Sequence, residues 1–146
     1  MARMLLLGIL VCGLGACAEP FIVFPGEALK GEASDPPADW SEMRDVEVVQ
    51  LETLPEDPYS VHLWVAAIGP DIYVATGEDG TNWTENLAID RDVRLRVNGR
   101  IYELEAQPIE DREERARVVA EYIRKYDVDV DESWVFEGLI FRLDRR

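Results

Sequence analysis

The sequence predicts a mainly β, α+β domain whose strands form an antiparallel barrel or a strongly curled sheet. Three observations carry this. Between Asp45 and Ala106, short β-prone apolar runs are separated by clusters of Gly, Pro, Asn and Asp. Asn98-Gly99 stands between two such runs and is the strongest short hairpin signal, because a type I′ turn takes φ > 0 at both central residues. One convincing long helical stretch, Glu110–Tyr126, precedes a last β-prone run, Trp134–Leu143. Strand runs joined by hairpins, with one crossing helix, suit a closed or curled antiparallel sheet. The 146 residues suggest one domain, and 47% hydrophobic residues suffice for a core.

The first segment is an address. Arg3 supplies a basic start, and Met4–Ala18 runs without a charge, rich in Leu, Ile and Val. It is shorter than the roughly 20 residues a spanning helix needs, and it ends in small residues, as a secretory signal peptide does. Leu14-Gly15-Ala16-Cys17 resembles the lipobox of bacterial lipoproteins. The resemblance implies cleavage after residue 16 and acylation of Cys17 with palmitate-type chains, hence a membrane anchor. Ala18 is not the Asp that holds many lipoproteins in the inner membrane. The implied location is therefore the cell envelope, at the outer membrane facing the periplasm. Cys12 leaves with residues 1–16 and Cys17 carries lipid, so the mature domain has no thiol for a disulfide, a nucleophile or a metal.

Residues 17–44 read as lipidated N-terminus and tether, with Pro20, Pro25, Pro36, Pro37, Gly26 and Gly31. Asp35-Pro36-Pro37 is the best candidate for free chain. Phe21-Ile22-Val23-Phe24 is too apolar for pure linker and is expected to dock on the domain or to add an edge strand.

The domain is expected over 45–146. Val46–Glu52 alternates with Val49 and Leu51 on one face, His62–Ile68 is β-prone, Gly69-Pro70-Asp71 is a turn, and Ile72–Thr76 is the returning strand. Gly77–Gly80 is a loop. Trp83–Ile89 suits a short helix with Trp83 and Leu87 on one face. Counting back from Asn98-Gly99 pairs Val97 with Arg100, Leu95 with Tyr102 and Val93 with Leu104, and sets Arg94 opposite Glu103. In the long helix, Asp111 with Glu114 suggests a capping box. Ala116, Val119, Ile123 and Tyr126 form the expected apolar stripe, and Glu113/Arg117 and Glu121/Lys125 are i,i+4 pairs.

Trp83-Thr84-Glu85-Asn86-Leu87, Val93–Val97, Asn98-Gly99 and Arg100–Ala106 resemble the split β-barrel superfamily of pyridoxamine-phosphate oxidases, flavin reductases and deazaflavin-dependent nitroreductases. The resemblance covers roughly residues 61–143. It implies a six-stranded antiparallel split β-barrel with one long helix before the last strand. It also implies a homodimer with a flavin or deazaflavin in the dimer groove. In that family, Arg, Lys, Ser or Thr from the early strands and the following loop usually hold the cofactor phosphate. Here residues 45–90 contain ten carboxylates and neither Lys nor Arg, and a phosphate needs donors rather than anions. The candidates left for cofactor binding are Trp83, Asn86, Arg91, Arg94 and Arg100.

Composition excludes other classes. Thirty acidic against 15 basic residues give a net charge of −15, which opposes nucleic acid and anionic lipid surfaces. One His and two Cys exclude multi-histidine and multi-cysteine metal centres. Asp127, Asp129 and Asp131 have the rhythm of a calcium loop, but Glu132 and Gly138 stand where such a loop needs Gly and Glu. They are the candidates for a surface cation. His62, with Ser60 on the same strand face, is the candidate for haem binding or general-base work. No nucleophile–base pair assembles, and nothing singles out two carboxylates for glycosidase chemistry. Four Trp and five Tyr suit a core, a pocket or a dimer surface. The expected function is a membrane-anchored envelope lipoprotein whose cofactor-free split barrel binds a partner or small ligand. The alternative is a flavin- or deazaflavin-dependent oxidoreductase; haem binding is the third reading.

Overall fold

Seven strands in the order β1-β6-β5-β2-β3-β4-β7, with β6 returning to pair with β7, make a closed six-stranded antiparallel barrel with one added strand. This computed structural model describes residues 26–129 and 133–146, without the side chain of residue 135. The lipobox, Cys17, Phe21–Phe24 and Asp131 lie outside the described residues. The strands are β1 (Glu32–Ala33), β2 (Val48–Thr53), β3 (Tyr59–Ile68), β4 (Asp71–Thr76), β5 (Asp92–Val97), β6 (Arg100–Pro108) and β7 (Leu139–Arg145). Helix α1 (Asn82–Ile89) follows β4, and α2 (Arg112–Tyr126) and the short α3 (Ser133–Glu137) lie between β6 and β7. No helix among the described residues is long and apolar enough to cross a membrane.

Alternation sorts side chains into two cores. Inside the barrel pack Val49 and Leu51 of β2, Val65 of β3, Ile72 and Val74 of β4, Val93 and Leu95 of β5, and Tyr102 and Leu104 of β6. Trp83 and Leu87 of α1 join them, on the face the sequence predicts. Outside, Ala66, Tyr73 and Ile140 meet Val118, Val119 and Tyr122 of α2.

The β5–β6 hairpin has the expected register: Val97 opposite Arg100, Leu95 opposite Tyr102, Val93 opposite Leu104 and Arg94 opposite Glu103. Asn98 and Gly99 take φ of 50° and 80°. A Cβ at Gly99 would meet nothing within 4 Å, so its cost is purely conformational. Gly99→Val is expected to destabilise the domain by about 1 kcal/mol or more. Thermal unfolding checks it, and an unchanged midpoint would refute the type I′ turn.

Four sequence expectations need correction. The last strand does not begin at Trp134: residues 133–137 are helical, and the strand starts at Leu139. Gly138 makes the break, since its N–H closes on the Trp134 carbonyl at 3.3 Å and a Cβ there would stand 2.9 Å from that oxygen. The buried stripe of α2 is Val118, Val119 and Tyr122, while Ala116 and Ile123 are exposed. The tyrosines decide this rotation. Tyr122 and Tyr126 face β3, where Tyr122 Oη donates to the Trp64 carbonyl at 3.2 Å and Tyr126 Oη to that of Val65 at 2.9 Å. The capping box is half made: Asp111 accepts the Glu114 N–H at 2.8 Å, but the Glu114 carboxylate takes Tyr73 Oη at 2.9 Å and Arg142 Nη1 at 2.8 Å. Finally, Lys125 reaches the Val65 carbonyl at 2.8 Å, and Glu121 binds Arg124 and Arg44 instead.

Residues 26–44 are a strap on the barrel rather than free chain. Gly26 bridges Ser60 at the β3 edge, β1 pairs parallel with β6, and Trp40 is buried within the barrel core. Asp35-Pro36-Pro37 is held as well, with the Pro37 carbonyl accepting from Arg145.

Candidate functional site

Two places on the barrel combine a cavity with chemistry-bearing side chains. The first lies under the strap. Register places Glu52 of β2 beside Arg94 of β5, and the strap crosses over both. Glu52 is 0% exposed. Its Oε1 accepts from Arg94 Nη1 at 3.0 Å, and its Oε2 from the Leu29 N–H at 2.5 Å. Next to it opens a cavity of about 440 Å³ whose polar walls are Ser34, Asp35, Arg94, Glu103 and Arg146. Arg146 is itself paired with Asp92 at 2.9 Å. Both cations of this cavity are thus neutralised within the chain.

The second place is the split of the barrel. β4 pairs with β3 only over residues 65–68. Beyond Val65 the two strands part, and a cleft opens on each face of the gap. The outer cleft, about 310 Å³, is lined by His62, Leu63, Trp64, Ala75, Thr76, Gly77 and Trp134. The inner one, about 370 Å³, is lined by Tyr59, Val61, Leu63, Thr76, Thr81, Asn82 and Trp83. Trp64 is 38% exposed and stacks on Tyr126 at 4.4 Å. Burial pushes the Tyr126 phenol up to about 12, so its hydroxyl stays protonated at neutral pH and keeps its bonds to β3. Among the described residues, no Lys or Arg lines either cleft.

The expected cofactor residues do not converge. Trp83 is a core residue packed edge-on against Phe141 at 5.5 Å. Asn86 donates to Thr53 Oγ1 at 2.9 Å. Arg91 donates to Gln107 at 3.2 Å, beside Asp79 and Glu85. Arg94 serves Glu52, not the Glu103 that faces it across the hairpin. Arg100 is exposed at the hairpin end, opposite Glu32. A phosphate cradle needs several donors aimed at one point, and these five point to different parts of the molecule. These five candidate residues do not form such a cradle.

The other candidates are separate too. His62 is exposed on the outer cleft, while Ser60, its expected partner, is buried and donates to the Glu27 carbonyl at 2.8 Å. Asp127 caps α2 in the left-handed conformation, with φ 49°. Among the described residues, no group of three or more His, Cys, Asp or Glu gathers for a metal. Glu52 escaped the sequence reading because its partners are 42 and 23 positions away. No local signal marks it, because Glu47, Gln50 and Thr53 stand in the same stretch of chain.

No protein-family model matches the chain, and no curated protein matches it. Solved structures do. A heme-storage protein from Vibrio cholerae matches at 15% identity, over 72% of this chain and 86% of that one, with a TM-score of 0.57. An FAD-binding protein from Mesorhizobium loti matches at 14%, over 73% and 86%, with 0.55. A protein described as an F420 reductase matches at 15%, over 76% and 95%, with 0.52. At these identities the likeness is one of fold, and the fold is the split barrel.

Proposed function

We propose that this split-barrel chain is a lipid-anchored protein of the cell envelope that binds a partner or a small ligand without a phosphate-bearing cofactor. One observation carries the reading: the arginines that could receive a phosphate are dispersed, and Arg94 is held by the buried carboxylate of Glu52. The cavity under the strap, with acid and base side by side, suits a small polar ligand or a partner's polar side chain. Anchoring through Cys17, siting at the outer membrane and pairing with a second copy belong to the same proposal, and rest on the lipobox and on the resemblance.

Electrostatics supports the absence of a flavin phosphate. Each unit charge about 6 Å away contributes on the order of 2–3 kcal/mol at an effective dielectric near 20. Micromolar affinity requires only about 8 kcal/mol in total. Several carboxylates near a phosphate would remove much of that. Titration of the purified protein with flavin mononucleotide is expected to show no micromolar quenching of flavin fluorescence. Micromolar binding would overturn the cofactor-free reading. Anchoring is checked separately: Cys17→Ser should abolish incorporation of labelled fatty acid, and continued labelling would refute the lipobox.

The second reading is a flavin- or deazaflavin-dependent oxidoreductase, favoured by the FAD-binding protein and the F420 reductase among similar structures. Haem binding is favoured by His62 on an apolar cleft and by the heme-storage protein. The visible absorption spectrum of the native protein separates all three.

A further inference from the structure

We infer that the cavity under the strap takes a small organic cation, an alkylammonium group, and that Glu103 is the carboxylate that receives it. The inference deepens the proposed function and rests on its reading of this cavity as a binding site. The cavity is a product of the topology. On one edge, β6 pairs with β1 up to Ile101 and with β7 only from Leu104. Between these contacts the strap passes from one partner to the other. The Ser34 N–H donates to the Ile101 carbonyl at 2.9 Å, and the Pro37 carbonyl accepts from Arg145. Ser34-Asp35-Pro36 thus line a cavity of about 440 Å³ from the strap, and Arg94 and Glu103 line it from the sheet.

Register gives one guanidinium two carboxylates. Arg94 stands between Glu52 on β2 and Glu103 on β6. A buried carboxylate loses far more than an exposed one when its counter-charge leaves, and Glu52 is 0% exposed while Glu103 is exposed. Arg94 accordingly goes to Glu52, at 3.0 Å. The next cation on the same face, Arg96, donates to Gln50 and does not line the cavity. Arg146 is held by Asp92. Among the described residues, neither Glu103 nor Asp35 has a side-chain partner. The walls therefore carry two compensated guanidiniums and two uncompensated carboxylates, and the charge they favour is positive.

The chemistry of the walls narrows the cation. Among the described residues, no group of three or more His, Cys, Asp or Glu gathers, which leaves a bare divalent ion short of the ligands it needs. Asp35 and Glu103 come from different elements. An ammonium with three rotatable donors can serve both, whereas a planar guanidinium favours one carboxylate held by two bonds. Ile101 and Pro36 supply apolar wall for a short alkyl stem. The net charge of −15 draws such a cation from a distance. A free amine and the lysine side chain of a partner share this chemistry.

Titration of the full chain, followed by the NMR shifts of its amides, tests the assignment. n-Pentylamine should shift the Ser34, Asp35 and Glu103 amides saturably. Hexanoate, the same stem with the opposite charge, should not. Nα-acetyl-lysine methylamide separates the two sources: binding as tight as that of n-pentylamine assigns the site to a partner's lysine, and much weaker binding assigns it to a free amine. Glu103→Gln should weaken n-pentylamine about tenfold. Glu52 does not line the cavity, yet Glu52→Gln should weaken binding about as much, because the released Arg94 turns to Glu103. Adding Arg94→Ala to Glu52→Gln should restore the parental affinity, a reversal that a purely structural role for Glu52 would not give. Urea midpoints establish that each variant is folded. The inference is overturned by no saturable shift with n-pentylamine, by equal shifts with hexanoate, by unchanged affinity in either single variant, or by no recovery in the double one. A cavity that took hexanoate would still bind a polar ligand, so the cation assignment can fail alone; micromolar flavin binding would overturn the proposed function instead.

Discussion

Replacing Arg94 with alanine is expected to cost the domain about 3 kcal/mol and to lower its urea midpoint accordingly. Glu52 is 0% exposed, and Arg94 is its one cationic partner among the described residues. Breaking a buried pair leaves a charge with neither water nor counter-charge, typically a loss of about 3–5 kcal/mol. The lower end applies because the Arg94 side chain is 30% exposed, so water can enter once it is truncated. The Leu29 N–H bond to Glu52 does not compensate a full charge. Adding Glu52→Gln to Arg94→Ala should recover most of the loss, because the amide is neutral and still accepts from Leu29. An Arg94→Ala variant within about 0.5 kcal/mol of the parent would show that the strap does not seal Glu52.

Trp40→Ala is expected to cost about 3–5 kcal/mol, the range for truncating a buried aromatic side chain. Trp40 is 1% exposed, meets Tyr102 edge-on at 5.1 Å, and its backbone N–H donates to the Gly69 carbonyl at 2.7 Å. The side chain thus ties the strap to the barrel interior, and the backbone ties it to the β3–β4 turn. Loss of the ring should loosen residues 26–44 together with the barrel, so urea unfolding should shift as one transition while protease cleavage within the strap rises. A free tether would behave otherwise: Trp40→Ala would leave the midpoint where it is. This variant therefore decides between packed strap and linker.

The two arguments share a cause that bears on what a sequence can disclose. Asn98-Gly99 set its hairpin register because the turn chemistry and the alternation of Val93, Leu95 and Val97 are local. Trp83 and Leu87 were legible as one buried face for the same reason. Helix α2 was legible as a helix, yet only Val119 and Tyr126 of its expected stripe pack on the barrel. Several rotations satisfy a 3.6-residue period, and the choice fell to Tyr122 and Tyr126, whose hydroxyls find carbonyls of β3. Composition misled over residues 26–44. Proline and glycine signal the absence of helix, but they do not say whether extended chain lies on a surface or in water.

The sequence by itself determined the antiparallel hairpins, the short and the long helix, the acidic character and the lack of Lys and Arg over residues 45–90. Those properties reside in neighbouring residues or in composition. Only the tertiary structure decided that Arg94 belongs to Glu52, that the strap covers the pair, and that the barrel splits between β3 and β4 beyond Val65. Each of these depends on which distant strands become neighbours when the sheet closes. That closure maximises apolar burial over the whole chain, and no short stretch of residues encodes it.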